Sequence, residues 1–132
     1  MAREPSVEAI LDGVTVGRES RSLISLGRAL SRLVDEVATD YELTADLWLT
    51  LEEITKSDGI TMTELARKLA IPAPTVTKLV DHLVSRALVF RLADQADRRR
   101  VFVHASRLGD RIHQQLGPEV RRVEREFLQG LK

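Results

Sequence analysis

The fold class this sequence predicts is mainly α-helical with a small β-hairpin, and three observations predict it. Apolar residues recur three or four apart along most of the chain. Capping residues, prolines and glycines fall where those runs begin and end. Two short segments rich in β-branched and aromatic residues flank a polar run of hairpin-loop composition. With 132 residues, 43% of them hydrophobic, the chain is long enough for one core and too short for two.

Residues 1–19 mix Pro5, Gly13 and Gly17 with β-branched residues and hold no helical period, which predicts an N-terminal arm. From Ser20, Leu23, Leu26, Leu30, Leu33, Val34 and Val37 form one face of an amphipathic helix, with Arg21, Arg28, Arg32, Asp35 and Glu36 on the others. Thr44 is a fitting N-cap for a second helix whose buried stripe is Leu47, Trp48, Leu51 and Ile54, and Ser57-Asp58-Gly59 ends it.

Thr61-Met62-Thr63-Glu64 then reads as a capping box. The Thr61 hydroxyl accepts from the amide three residues on, Glu64 reaches back to the Thr61 amide, and a short helix starts at about Met62. Ala70-Ile71-Pro72 breaks it. Val76, Leu79, Val80, Leu83 and Val84 define the next helix, over about residues 73–86. Residues 87–93 and 100–105 read as two antiparallel strands joined by a charged tip at 94–99. Ser106 caps a last helix with the stripe Leu108, Ile112, Leu116, Val120, Val123, Phe127 and Leu131, which Gly117-Pro118 is expected to bend.

Composition removes several functions. The absence of cysteine excludes a disulfide scaffold, a thiolate metal site, a cysteine nucleophile and a thiol redox sensor. His82, His104 and His113 lack metal-ligand spacing, so no metal or other cofactor is expected. No phosphate-cradling glycine loop, metalloprotease helix or nucleophile elbow supports an enzyme. The longest apolar run has four residues and the first twenty hold no signal-type segment, so no membrane partner is expected and the predicted location is cytoplasmic.

Lys+Arg and Asp+Glu are equal at 20 each, but the balance hides a separation. Residues 58–107 hold nine basic and five acidic residues, a net of +4; the remainder holds 11 and 15, a net of −4. A polyanion would meet the middle of this protein. A capped helix, a tight turn, a second helix and a hairpin with a cationic loop together make a winged helix-turn-helix, whose second helix enters the major groove while the wing follows the backbone or minor groove.

Outside its apolar stripe the second helix offers Thr75, Thr77, Lys78, Asp81, His82 and Arg86. Small hydroxyl residues let its first turn approach bases or phosphates, and Lys78 reaches a phosphate or a guanine. Arg98, Arg99 and Arg100 suit a narrow, negatively charged minor groove, with Asp97 orienting one guanidinium through a bidentate pair. The candidate DNA-binding set is therefore Thr75, Thr77, Lys78, His82, Arg86, Asp97, Arg98, Arg99 and Arg100. The competing reading is a winged-helix protein-protein module that never touches DNA, which would have no need of a cationic wing tip.

The run Leu83-Val84-Ser85-Arg86-Ala87-Leu88-Val89-Phe90-Arg91, then Asp94-Gln95-Ala96-Asp97-Arg98-Arg99 and Val103-His104-Ala105-Ser106-Arg107-Leu108-Gly109, resembles the wing signature of the MarR family of bacterial transcription regulators. With residues 61–65 and 75–80 the resemblance covers about residues 20–116. It implies a dimer that binds a pseudo-palindromic double-stranded DNA operator and releases it when a small, often aromatic or phenolic, effector binds. It also implies major-groove or phosphate contacts for Thr75, Thr77 and Lys78, and wing contacts for Arg98 and Arg99. Three residues depart from the family pattern: Pro72 where a capping Ser or Thr is frequent, Ala87 for the usual Gly, and Gln95 for a common Pro.

The expected organisation is one domain over residues 20–132. Flanking dimerisation helices lie in 20–57 and 106–132, and a winged helix-turn-helix lobe in 58–105. The stripes of the first and last helices exceed what a compact winged lobe needs, and two copies reading half-sites supply the specificity one copy lacks. Members of the family usually carry a longer C-terminal dimerisation region than a sequence stopping at Lys132, so a smaller or differently built interface is expected. An effector would lodge where the dimer helices meet the DNA-binding lobe, with Arg28, Tyr41, Trp48 and His113 as candidate lining residues.

Overall fold

The computed structural model describes residues 19–131. The expected arm lies outside them apart from Glu19, which opens α1 (Glu19–Ala38). A 3-10 turn (Thr39–Tyr41) leads to α2 (Ala45–Thr55). Then come β1 (Ile60–Thr61), α3 (Met62–Leu69), α4 (Ala73–Ser85), β2 (Val89–Ala93), β3 (Val101–Ala105) and α5 (Arg107–Gly130).

Helix α2 is the centre of the fold, packing against α1, α3, α4, α5 and β3. Trp48, Leu51 and Ile54 on it are all but fully buried, as are Leu65 of α3, Val76, Val80 and Leu83 of α4, and Leu116 of α5. Two groups hold its N-terminus. The Thr44 hydroxyl accepts from the Leu47 amide at 3.2 Å, and the Asp35 carboxylate of α1 accepts from the Ala45 amide at 2.6 Å. A carboxylate at that end also meets the positive pole of the helix.

Among the described residues the sheet has three strands, not the two of the expected hairpin. Its order is β1-β3-β2, with Ile60 opposite Val103 and Thr61 opposite Phe102. Two residues carry no alternation to read, which is why β1 gave no sequence signal. The capping box is half as expected. Thr61 accepts from the Glu64 amide at 3.2 Å, but the Glu64 carboxylate accepts from the Thr61 hydroxyl at 3.0 Å rather than from the Thr61 amide.

Helix α5 runs through Pro118. The missing N–H there costs the Gln114 carbonyl its helical donor without ending the helix. Its N-terminus is fixed by Ser106, whose hydroxyl accepts from the Gly109 amide at 3.0 Å and donates to the Ala87 carbonyl at 2.6 Å. Gly109 permits this junction, because a Cβ there would lie 2.0 Å from the Leu88 carbonyl oxygen. Leu108, expected in the buried stripe, is 41% exposed.

Candidate nucleic-acid interface

Burial of Val76, Val80 and Leu83 sets the rotation of α4 and turns Thr75, Thr77, Lys78, Asp81 and His82 outward, all exposed. Pro72 is the N-cap and makes no side-chain hydrogen bond. The Thr75 and Val76 amides donate instead to the Pro72 carbonyl, at 3.0 and 3.1 Å. Thr77 donates its hydroxyl to the Ala73 carbonyl at 3.1 Å, which occupies its proton within the helix. The two threonines therefore differ: among the described residues Thr75 keeps a free donor, and Thr77 offers lone pairs and a methyl group.

Asp81 places a carboxylate among these groups, and β2 neutralises it. Arg91 donates to Asp81 at 2.5 Å, joining the exposed face of α4 to the wing. Arg86 behaves differently from its neighbours on the helix. Its guanidinium donates to the Glu42 and Tyr41 carbonyls at 2.6 and 2.7 Å. That pins the end of α4 to the turn after α1 and takes Arg86 away from any outward contact.

The wing tip is a loop held by its own backbone. Asp94 donates its amide to the Arg100 carbonyl and Arg100 its amide to the Asp97 carbonyl, each at 2.9 Å. Asp97 does orient a guanidinium, though through one oxygen and not a bidentate pair. Its Oδ1 accepts from both the backbone amide and the Nε of Arg99, each at 3.1 Å. Those bonds hold the Asp97 carboxyl below the usual aspartate range, so its charge persists on mild acidification.

The Arg99 side chain is 92% exposed despite this anchor. Arg98 is exposed and makes no hydrogen bond or ion pair among the described residues. Arg100 lies over the Phe102 ring, 5.2 Å from its centroid. Between Arg99, Arg100 and the first turn of α3 opens a concavity of about 460 Å³ that also takes in Thr61 and Thr63. Neither threonine is marked by sequence reasoning as a surface for DNA, because their proximity to the wing root depends on the β1–β3 pairing.

The four candidate effector residues are only partly brought together. Trp48 and His113 stack with ring centroids 4.9 Å apart and planes within 8°. Trp48 Nε1 and His113 Nε2 are buried without a hydrogen-bond partner among the described residues, and His113 Nε2 lies 3.8 Å from a Glu52 oxygen. Tyr41 sits half-buried in the 3-10 turn, where desolvation and the Glu119 carboxylate raise its pKa. Arg28 is exposed on α1. Trp48 alone of the four lines the cavity between α1, α2 and α5, which brings in Glu124, a residue no sequence pattern marks. Among the described residues no group of three or more His, Asp or Glu is placed to hold a metal ion. Nor is any helix there long and apolar enough to cross a membrane.

Residues 42–100 match the model of the MarR family. Over 96 residues the chain is 29% identical to the uncharacterized HTH-type transcriptional regulator YsmB of Bacillus subtilis (strain 168), covering 73% of this chain and 66% of that relative. It is 24% identical over 98 residues to the HTH-type transcriptional regulator FarR of Neisseria gonorrhoeae, covering 74% and 67% respectively. The chain thus spans about two thirds of the length of these curated relatives. A mutant MarR from E. coli, complexed with operator DNA, is similar in structure with a TM-score of 0.79 and 26% identity, covering 89% of this chain and 88% of that one.

Proposed function

Because the chain is a member of the MarR family of winged-helix transcriptional regulators, we propose that it binds double-stranded operator DNA in a sequence-specific manner. In this reading it acts as a cytoplasmic homodimer on a pseudo-palindromic site and represses until a small-molecule effector releases it. The exposed face of α4, carrying Thr75, Thr77, Lys78 and His82, enters the major groove. Arg98 and Arg99 reach the minor groove or its phosphates, and Thr63 with Arg100 flanks a phosphate at the wing root. Helices α1 and α5 supply the dimer contacts, and residues 58–105 the DNA-binding lobe. Neither this lobe nor the family's chemistry is enzymatic.

The observation that carries the reading is the pair of exposed cationic groups at the tip of a wing that is joined to an α4 face whose one carboxylate is already neutralised. Like charges at such a tip repel unless an anion spreads over them. The test is binding to mixed-sequence duplex over a salt series. Affinity should fall steeply with salt, and Arg98→Ala with Arg99→Ala should reduce the slope of log affinity against log salt by about 2, one for each phosphate no longer neutralised. Circular dichroism should be unchanged, since both side chains are exposed. No binding at low salt, or an unaltered slope, would overturn the assignment.

A further inference from the structure

Strand β2 is an edge of the sheet, because the order β1-β3-β2 leaves one of its sides without a neighbouring strand among the described residues. Two bonds at the ends of the hairpin fix which backbone groups face that side. Asp94 donates its amide to the Arg100 carbonyl at 2.9 Å and Ser106 donates to the Leu88 carbonyl at 3.0 Å, so the even-numbered residues of β2 turn their backbone toward β3. Those of Arg91 and Ala93 therefore point outward, and both residues are exposed. Val89 is buried at the start of the strand, which leaves residues 91–93 as the open stretch.

The side chains here do not protect the edge. Charged residues normally keep such a strand from pairing, yet the one charge of β2, Arg91, lies on the face where Asp81 neutralises it. Phe90 and Leu92 share the opposite face and are 45% and 55% exposed. Phe90 is held by stacking on His104, with ring centroids 5.3 Å apart. Beside Leu92 a concavity of about 460 Å³ opens among Ala93, Asp94, Gln95 and Arg98.

We propose that this edge docks a second copy of itself, two wings pairing antiparallel through β2 across a two-fold axis at Leu92. In that register Arg91 exchanges backbone bonds with Ala93 of the other copy, which satisfies every outward group of the open stretch. Leu92 meets Leu92 on the axis, and Phe90 falls opposite Asp94 of the other copy, at the mouth of the concavity. A two-fold at Arg91 would instead set arginine against arginine and call on the buried backbone of Val89, so the edge matches itself in one register.

Two apolar side chains and a short run of backbone bonds fall well short of the roughly 1,200 Å² that a stable interface buries. The contact is therefore weak between free molecules and gains where something holds two copies side by side. Two dimers on neighbouring stretches of duplex are related by a two-fold across it, so their adjoining wings run toward each other, as an antiparallel pair requires. That use rests on the DNA-binding reading above, whereas the contact itself does not.

The chain has no cysteine, so a single introduced thiol reports on the register without background. The experiment oxidises Leu92→Cys, Phe90→Cys and Gln95→Cys with diamide, first without DNA, and follows covalent dimer on a denaturing gel. Directly opposite residues bring their Cβ atoms within disulfide reach, so Leu92→Cys should cross-link on the order of tenfold faster than the other two. Adding Phe90→Thr to Leu92→Cys should slow it to their rate, with the far-ultraviolet spectrum retained. Equal rates at the three positions, as random collision gives, would overturn the proposal and leave the edge to a different occupant; a rate indifferent to Phe90→Thr would overturn the seating of that ring. A mixed-sequence duplex of about 40 base pairs, room for two dimers, should accelerate Leu92→Cys, and one of about 20 should not. A bound longer duplex without acceleration would overturn the side-by-side arrangement. Failure to bind either duplex counts against the DNA-binding reading alone, since the DNA-free rates still decide the contact.

Discussion

Ala87 occupies a backbone conformation that glycine favours, with φ at +59°. It closes α4 through a Schellman arrangement, its amide donating to the Val84 carbonyl at 2.9 Å and the Leu88 amide to the Leu83 carbonyl at 3.0 Å. Ala70 ends α3 in the same way at φ +56°, and Glu42 closes the 3-10 turn at φ +57°. A left-handed L-residue costs about 1–2 kcal/mol, part of which glycine would forfeit through the entropy of the unfolded chain. Ala87→Gly should therefore stabilise the fold by about 0.5–1 kcal/mol, read as a rise of roughly 2–3 °C in melting temperature. A lower melting temperature would show that the Ala87 methyl, exposed here, makes contacts that outweigh the strain. Gly59 is the converse case. At φ +110° and with a prospective Cβ 2.7 Å from His104 Cε1, it has both the conformation and the crowding that require glycine.

Between elements, the Arg91–Asp81 pair is the link that matters most to the proposed interface, because it joins the reading helix to the wing. Exposed pairs of this kind add at most about 1 kcal/mol to stability, so their removal should barely alter unfolding. Its electrostatic effect on DNA is larger. Arg91→Ala uncovers a carboxylate beside Lys78 and His82 and should weaken duplex binding by about fivefold or more, as 1 kcal/mol or more of repulsion implies. Asp81→Asn in the same chain should recover most of that loss, whereas failure of the double variant to recover would assign Arg91 a direct phosphate contact.

The sequence alone is informative on this scale where a signal is local. Thr44, Thr61 and Ser106 each announce a helix start that the structure bears out, and the polar run at 94–99 announces the wing tip. It is silent wherever two distant segments meet. The Asp35 cap on α2 spans ten residues and the Arg86 anchor on Tyr41 spans 45. In the sequence both side chains read as ordinary charges on an outer face, and nothing in their own neighbourhoods distinguishes them. Glu124 is legible only once α1, α2 and α5 are assembled around the cavity it lines.

For the whole molecule, the apolar stripes of the two long helices turn out to be divided in their use. Val34 and Ala38 of α1, and Val120 and Val123 of α5, are buried within the chain. Those halves pack on each other and are not available to a partner. Toward its N-terminus α1 instead leaves Leu23 and Ile24 exposed at 37% and 55%, and near its end α5 leaves Leu128 at 40%. These remainders are where the proposed dimer would form, since apolar side chains clustered on two helix ends favour a covered surface. Deleting residues 119–132 would be a poor test, because it would also strip Val120 and Val123 from the core. Leu23→Glu with Ile24→Glu separates the two roles. Being exposed in the single chain, the pair should leave its folding stability within about 0.5 kcal/mol. Sedimentation should nevertheless show a shift toward monomer, and affinity for a palindromic duplex should fall to that for a half-site. A dimer indifferent to both charges would place the interface on the Leu128 end of α5, which Leu128→Glu would then disrupt.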